Sequence, residues 1–222
     1  MNTEKEKLDR MINRPGEIVM EDLIQQAFHI FSNKLAYGGI VAKNEFAFQF
    51  ELGSILKTLG QLYEFNLNDK FHLEFETTII LEEEFVKSNS KKARIDILII
   101  YQLGGKTTKT AIELKFFKKE NHREPNNRYD VFKDIANLES YKRFGIDICY
   151  FLLLTDHTHY VNQQKYSTDT ADFDFRQGQR YMANTILSYR TPKSYGPEIS
   201  LSQDYEFKWK TLNDLYFLKL KV

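Results

Sequence analysis

The sequence has little of what marks secreted, membrane-bound or disordered chains. Its 222 residues include one cysteine and four prolines. One cysteine excludes a disulfide framework, and few prolines with 42% hydrophobic residues exclude a disordered chain. No apolar run reaches the roughly 18 residues of a membrane span, and the first residues lack the apolar stretch of a secretory signal. We therefore expect a single cytoplasmic domain over residues 1–222, with no membrane partner.

The chain has no net charge, but its charges are unevenly distributed. Residues 87–143 contain 14 Lys and Arg against 7 Asp and Glu, a local excess of +7. A basic stripe on a neutral protein can bind a polyanion such as nucleic acid. An unevenly charged solvated surface would give the same pattern, so composition leaves both interpretations open.

Apolar periodicity predicts three helices, over residues 20–32, 44–63 and 129–144. Asn44 is a plausible N-cap of the second helix, and Gly145 is placed to end the third. Three strands are predicted between the second and third helices, in FHLEFETTII, ARIDILIIY and TKTAIELKFF. The run ICYFLLL, which contains Cys149, predicts a strand covered on both faces and a buried structural thiol. The order strand, helix, strand implies a parallel pair joined by a right-handed crossover.

These elements predict an α/β fold with a mixed central sheet flanked by helices. Its core spans about residues 44–156. From about residue 170 to 222 the pattern changes to short apolar segments separated by turn residues, namely FDFRQ, ANTILSY, YEFKWK and LYFLKLKV. We expect this part to be a β-rich C-terminal extension of the same domain.

Gly104 and Gly105 predict a two-residue hairpin turn between the second and third strands, because positive φ costs glycine little. Such a turn sets the register of the two strands. The predicted pairs on one face are Asp96 with Glu113, Arg94 with Lys115, and Leu98 with Ala111. The predicted pairs on the other face are Ile95 with Leu114 and Ile97 with Ile112. The register thus collects the charges on one face and large aliphatic residues on the other.

Two facing carboxylates, Asp96 and Glu113, are destabilising unless a cation lies between them. Mg²⁺ prefers carboxylate oxygens and retains several waters. Lys115 projects from the same face as Glu113, so an ammonium would lie beside the ion. A metal ion there supplies an activated water and stabilises the negative charge of a transition state. The alternative is a polar strand face on which Asp96 pairs with Arg94 or Lys115 and nothing binds.

The chain resembles the PD-(D/E)xK nuclease superfamily, which has the restriction-endonuclease-like fold, over residues 44–156. The resemblance rests on the segments NEFAFQFELGSIL, RIDILII, IELKFF, YDVFKDIANLESYK and ICYFLLLT. It implies that Asp96 and Glu113 bind Mg²⁺, or Mn²⁺ in its place, and that Lys115 assists the water. The proline that often precedes the aspartate is replaced by Ile95.

A glutamate from the first core helix often completes such a site in this superfamily. Glu45 and Glu51 both flank the apolar stripe of the second helix, on opposite sides. We prefer Glu45 as the fourth catalytic residue, because Gln49 lies one turn later on the same side. Asp134 and Glu139, on the following helix, have the spacing of ordinary polar-face residues.

Four basic residues follow the E-x-K strand and are candidates for phosphate contacts: Lys118, Lys119, Arg123 and Arg128. A solvated loop is the alternative. The resemblance implies a metal-dependent DNA endonuclease, with a restriction or defence role by analogy of fold, acting as a homodimer. A non-catalytic nucleic-acid-binding or interaction module, and a junction-resolving or RNA-processing nuclease, are the other hypotheses.

Overall fold

The computed structural model describes residues 15–80 and 92–222. The helices are α1 (Pro15–Ala36), α2 (Glu45–Gln61), α3 (Glu124–Tyr141) and the short α4 (His159–Asn162). The strands are β1 (Lys70–Ile80), β2 (Lys92–Leu103), β3 (Lys106–Phe117), β4 (Ile148–Thr155), β5 (Arg180–Tyr181), β6 (Tyr205–Glu206), β7 (Trp209–Leu212) and β8 (Leu215–Lys221). The N-terminal segment 1–14 and two basic residues, Lys87 and Lys91, lie outside the described residues.

Six strands form one mixed sheet in the order β1-β2-β3-β4-β8-β7. Strands β3 and β4 are parallel, and every other neighbouring pair is antiparallel. Helix α3 makes the crossover between the parallel strands. The α/β class with a mixed sheet flanked by helices, predicted from the sequence, is confirmed.

Each face of the sheet carries its own hydrophobic core. Helices α1 and α2 pack on one face, against side chains such as Ile97, Ile112 and Leu152. Helix α3 and much of the C-terminal segment pack on the other, against side chains such as Ala111 and Phe151. All residues of β4 are buried, because this central strand is covered on both sides. Cys149 is a buried free thiol of this strand, as predicted.

Local sequence explains where α2 and α3 begin and end. The Asn44 side chain accepts a hydrogen bond of 2.8 Å from the backbone N–H of Ala47, which confirms it as the N-cap of α2. Helix α3 begins at Glu124, earlier than predicted, because Pro125 fits the first turn of a helix. A short 3₁₀ turn follows α3, and Gly145 ends it with φ of 79°.

Two of the four strand segments predicted in the C-terminal part of the chain do not form strands. FDFRQ forms no strand, and ANTILSY contributes a single bridge, between Leu187 and Ile199. Their apolar side chains instead pack onto the face of the sheet that α3 covers. The predicted strand segments YEFKWK and LYFLKLKV do form strands, and β8 pairs with β4 inside the main sheet.

Helix α2 lies so close to β1 that two of its glycines have no room for a side chain. A Cβ on Gly60 would lie 2.4 Å from the ring of Phe71, and a Cβ on Gly53 would lie 2.4 Å from the ring of Phe75. Phe71 is buried, whereas Phe75 is 42% exposed. The two positions therefore differ in how easily the neighbouring ring can move.

We expect Gly60→Ala to lower the free energy of unfolding by about 1–3 kcal/mol, since a buried ring must shift. Gly53→Ala should be neutral or slightly stabilising, because the exposed ring can rotate away and alanine favours the helix by about 1 kcal/mol. Urea unfolding of the two variants measures the difference. Equal effects at both positions would contradict the close packing of α2 on β1.

Candidate functional site

The candidate site forms where β2 and β3 separate. The hairpin register predicted from Gly104 and Gly105 is confirmed from Leu103↔Lys106 to Ile97↔Ile112. Both glycines have positive φ, 56° and 79°, as the tight turn requires. Beyond Ile97 the two strands no longer pair, although β2 continues to pair with β1 as far as Lys92. The sheet therefore opens between β2 and β3 at Asp96.

The side chain of Asp96 occupies the opening. Its Oδ2 accepts a hydrogen bond of 2.7 Å from the backbone N–H of Leu114. A carboxylate oxygen thus replaces the backbone carbonyl that would normally accept from β3. The predicted backbone pairing of Asp96 with Glu113 is therefore wrong in detail, because the strands diverge one residue before it.

The opening also changes which faces the neighbouring residues occupy. Ile95 packs in the core beneath α3, whereas Ile97 packs in the core beneath α1 and α2. The sequence had placed both on one face. The predicted register pair of Arg94 with Lys115 is also wrong, since the pairing of β2 with β3 ends at Ile97↔Ile112. The Arg94 side chain instead forms an ion pair with Glu76 on β1, with Nη1 2.9 Å from Oε2.

Glu113, the acid of the E-x-K strand β3, is buried, with 6% of its surface exposed. Its Oε1 accepts a hydrogen bond of 3.2 Å from the hydroxyl of Tyr141, at the end of α3. Burial raises the pKa of Glu113 well above its ordinary value, and the nearby carboxylates of Asp96 and Asp134 raise it further. This carboxylate is costly to ionise without a cation beside it.

Lys115 lies between the two helical layers. Its Nζ is 3.1 Å from Oδ2 of Asp134 on α3 and 3.9 Å from Oε1 of Glu45 on α2. Burial alone would lower the pKa of Lys115, but Asp134, Glu45 and the two acids of the opening outweigh it and raise that pKa. Lys115 is therefore a permanent ammonium at neutral pH.

Of the two candidate glutamates of α2, the structure brings Glu45 to the opening. Its Oε2 accepts a hydrogen bond of 3.2 Å from the backbone N–H of Phe116. Within residues 15–80 and 92–222, no hydrogen bond or ion pair joins Glu51 to this group. Burial raises the pKa of Glu45, and Lys115 partly offsets the increase. The catalytic role of Glu45 stays a prediction.

Gln49, one turn after Glu45, braces the opening from the side of α2. Its buried amide nitrogen lies 2.6 Å from the backbone oxygen of Asp96 and 2.9 Å from Oε1 of Glu76. Glu76 has φ of 55° in the middle of β1, a conformation that costs a non-glycine residue on the order of 1–3 kcal/mol. The Gln49 amide thus links the backbone of β2 at Asp96 to the strained residue Glu76 of β1.

Sequence reasoning missed three residues of this group: Glu76, Asp134 and Tyr141. Asp134 had been assigned to the polar face of α3, but it is 8% exposed and contacts Lys115. A polar residue among apolar neighbours gives no sign in sequence of what it faces. Its spacing on α3 from Leu138 and Tyr141, which are both buried, is the one signal that could have indicated an inward direction.

Neighbouring carboxylates add to the effect of burial in raising the pKa values of Asp96, Glu113 and Glu45. Burial raises the pKa of Asp96 to about 6, an increase that the Leu114 N–H and Lys115 reduce and that Glu45 and Asp134 reinforce. Among the described residues no three acidic, histidine or cysteine side chains converge closely enough to hold a metal ion by themselves. The group is therefore not a closed protein cage.

The donors nevertheless fit a magnesium ion that keeps much of its water. Mg²⁺ is usually bound in proteins by one or two carboxylates, with water and substrate phosphates as the other ligands. Asp96 and Glu113 supply two carboxylates of the right chemistry. Burial raises the pKa of both, and the Asp96 carboxylate raises that of Glu113 further, so a cation beside them would offset part of the cost of ionising them. These two residues would hold the ion.

The four basic residues predicted to contact phosphates differ in their surroundings. Arg128 is 2% exposed, since its guanidinium stacks 3.7 Å from the ring of Tyr166 and donates to the backbone oxygen of Thr170, so its assignment was wrong. Lys118 forms an ion pair with Glu120. Lys119 and Arg123 are exposed, and their phosphate contacts stay predictions.

Comparison of the chain with protein-family models, with curated proteins and with solved structures finds no match in any of the three. Within the described residues, none of the helices has the length and apolar character needed to cross a membrane.

We expect Asp96→Asn to leave the metal-free protein at least as stable as the parent at neutral pH, with a gain on the order of 1 kcal/mol, since a pKa raised by one unit corresponds to about 1.4 kcal/mol. The amide oxygen can still accept the Leu114 N–H, while the buried charge is removed. The folded pKa of Asp96, about 6, exceeds the value of about 3.9 for an unfolded aspartate. The parent's stability should therefore fall as pH rises from about 4 to about 6, and the variant should lack this component.

Urea unfolding in chelator at about pH 5 and about pH 7.5 measures this difference. Excess Mg²⁺ should raise the melting temperature of the parent, because an ion that binds the folded state stabilises it by mass action. Asp96→Asn should lose most of that rise. Asp147→Asn is the matched control, since Asp147 also accepts a backbone N–H, from Lys109. The metal site would be contradicted if Asp96→Asn lowered the free energy of unfolding and Mg²⁺ left the melting temperature of the parent unchanged.

Proposed function

We propose that the chain is a metal-dependent endonuclease of the PD-(D/E)xK type that hydrolyses phosphodiester bonds in DNA. One observation carries the proposal. Asp96, Glu113 and Lys115 gather at an opening between two strands, and Glu45 reaches the same opening from the first core helix. The order of elements around them supports a restriction-endonuclease-like core, because α3 joins the parallel strands β3 and β4 next to the site.

Each residue would have a distinct task in hydrolysis. Asp96 and Glu113 would hold Mg²⁺, or Mn²⁺, which supplies Lewis-acid stabilisation of phosphate charge and a more acidic water. Lys115 cannot act as a base at neutral pH, because its pKa is raised. It would instead donate a hydrogen bond to a non-bridging phosphate oxygen as negative charge develops there.

Glu45 has the position and the raised pKa of a proton acceptor. As the oxygen of a water molecule bonds to phosphorus, the proton of that water would pass to the Glu45 carboxylate. The bond from phosphorus to the leaving oxygen breaks, and solvent protonates that oxygen. The backbone N–H of Phe116 fixes the Glu45 carboxylate during this transfer.

The choice of DNA over RNA, a restriction or defence role and a homodimeric state rest on the resemblance of fold. A non-catalytic binding module is less favoured, because a copy that had lost catalysis would not need to keep Asp96, Glu113 and Lys115 together. Incubation with duplex, single-stranded, branched and RNA substrates, with Mg²⁺, Mn²⁺ or chelator, tests the proposal. Lack of cleavage of all of them with either metal would overturn it.

We expect Lys115→Ala to reduce the cleavage rate by on the order of 10²-fold or more, since it removes one donor to the transition-state charge. Mg²⁺ affinity and DNA affinity should change little, because neither metal ligand is altered. Single-turnover cleavage and calorimetry measure these quantities. Lys109→Ala is the control, because Lys109 lies exposed on the same strand. An unchanged rate in Lys115→Ala, or a lost Mg²⁺ affinity, would contradict the assigned role.

If Lys119 and Arg123 contact phosphates, DNA affinity should fall steeply as salt concentration rises. A plot of the logarithm of DNA affinity against the logarithm of salt concentration falls with a slope of roughly 0.9 per neutralised phosphate. Alanine at both positions should therefore make this slope shallower by about two units at most. Arg180→Ala with Lys208→Ala is the control, since both side chains are about 70% exposed elsewhere on the chain. If the variant with alanine at Lys119 and Arg123 has the same salt dependence of DNA affinity as the parent, these two residues are ordinary solvated surface.

A further inference from the structure

Asp134 is a buried acid of the group, and the proposed chemistry gives it no task. It lies on α3, in the layer opposite α2, and its side chain is 11% exposed. Its Oδ2 is 3.1 Å from the Lys115 ammonium and has no partner of hydrogen-bonding geometry within the described part of the chain. Asp134 therefore faces the opening and contributes a buried charge directed at one neighbour.

Lys115 needs such a neighbour because of where it lies. A lysine ammonium is a compact charge on a flexible four-carbon stem, which can move to the densest group of carboxylates within reach. That group here includes Asp96 and Glu113, the two proposed metal ligands. Among the described residues Lys115 forms ion pairs with Glu45 and Asp134, and none with Asp96 or Glu113.

We propose that Asp134 is a positioning residue that holds the Lys115 ammonium away from Asp96 and Glu113, so that these two carboxylates are free to bind a divalent cation. The inference rests on the proposed metal-dependent function. Asp134 acts through Lys115 and touches neither the ion nor the substrate. Glu45 limits the ammonium from the other helical layer, so that Lys115 is held between α2 and α3.

The proposal makes Asp134 and Lys115 non-additive in metal binding. In Asp134→Asn the ammonium turns towards Asp96 and Glu113 and competes with the cation. Mg²⁺ affinity should then fall by about tenfold, the size usual for residues that orient metal ligands. In Asp134→Asn combined with Lys115→Ala the competitor is gone, and the affinity should return to within about twofold of Lys115→Ala alone.

Calorimetric titration of the full chain with Mg²⁺ alone, for the parent, both single variants and the double variant, gives the four affinities. Asp130→Asn is the matched control, because Asp130 is one turn earlier on α3 and its carboxylate lies within 3.4 Å of the Tyr195 hydroxyl. Asp134→Ala serves as a second variant if Asp134→Asn has a lowered melting temperature. The control should bind Mg²⁺ as the parent does.

A double variant as weak as Asp134→Asn would overturn the proposal, because Asp134 would then contribute to binding independently of Lys115, as a metal ligand does. An unchanged affinity in Asp134→Asn would also overturn it, since nothing would need to be held away. A parent that binds no Mg²⁺ would instead overturn the proposed function on which the inference rests. The two failures are thus distinguishable in one titration series.

Discussion

The separation of β2 from β3 at Asp96 is the constraint on which the site depends. A continuous antiparallel ladder would direct Asp96 and Glu113 to one face and bury their backbone groups in strand pairing. Asp96 instead accepts the Leu114 N–H with its side chain, so the backbone of β3 stays satisfied while the strands diverge. A buried N–H without an acceptor costs about 1–3 kcal/mol, and the Asp96 carboxylate removes that cost.

The opening explains why residues from both helical layers meet. Helices α2 and α3 lie on opposite faces of the sheet, and an intact sheet would keep their side chains apart. Lys115 extends through the gap and contacts Glu45 of one helix and Asp134 of the other. The site is therefore formed across the sheet, with β3 supplying Glu113 and Lys115 between the layers.

Electrostatic crowding is the second consequence of the opening. Four carboxylates lie around one lysine: Glu113 and Asp134 are buried, Asp96 is partly buried, and the Glu45 side chain is 47% exposed. Loss of hydration raises the pKa of Asp96, Glu113 and Glu45. A protein that needed stability alone would gain by replacing such a group with apolar residues. The strained φ of Glu76 beside it is a further cost. Costs concentrated at one place are typical of functional sites, where charge is arranged for a ligand.

Local signals in the sequence determined the elements of this protein. Apolar periodicity located the helices, the Asn44 cap set the start of α2, and the Gly104-Gly105 turn set the register of β2 and β3. Cys149 was correctly predicted to be buried, because continuous apolar runs become central strands. These features depend on neighbours a few residues apart, and a sequence displays such neighbours directly.

Only the tertiary structure decided what meets at the opening. The break in pairing at Asp96 depends on Gln49 of α2 and Glu76 of β1, and Asp134 reaches Lys115 because α3 packs on the far face. Arg128, which reads as a surface cation, is buried against Tyr166 for the same reason. Residues tens of positions apart in the sequence meet because whole layers of helices and strands pack against one another. The stabilising free energy of that packing is distributed over both hydrophobic cores. No short pattern in the chain encodes it.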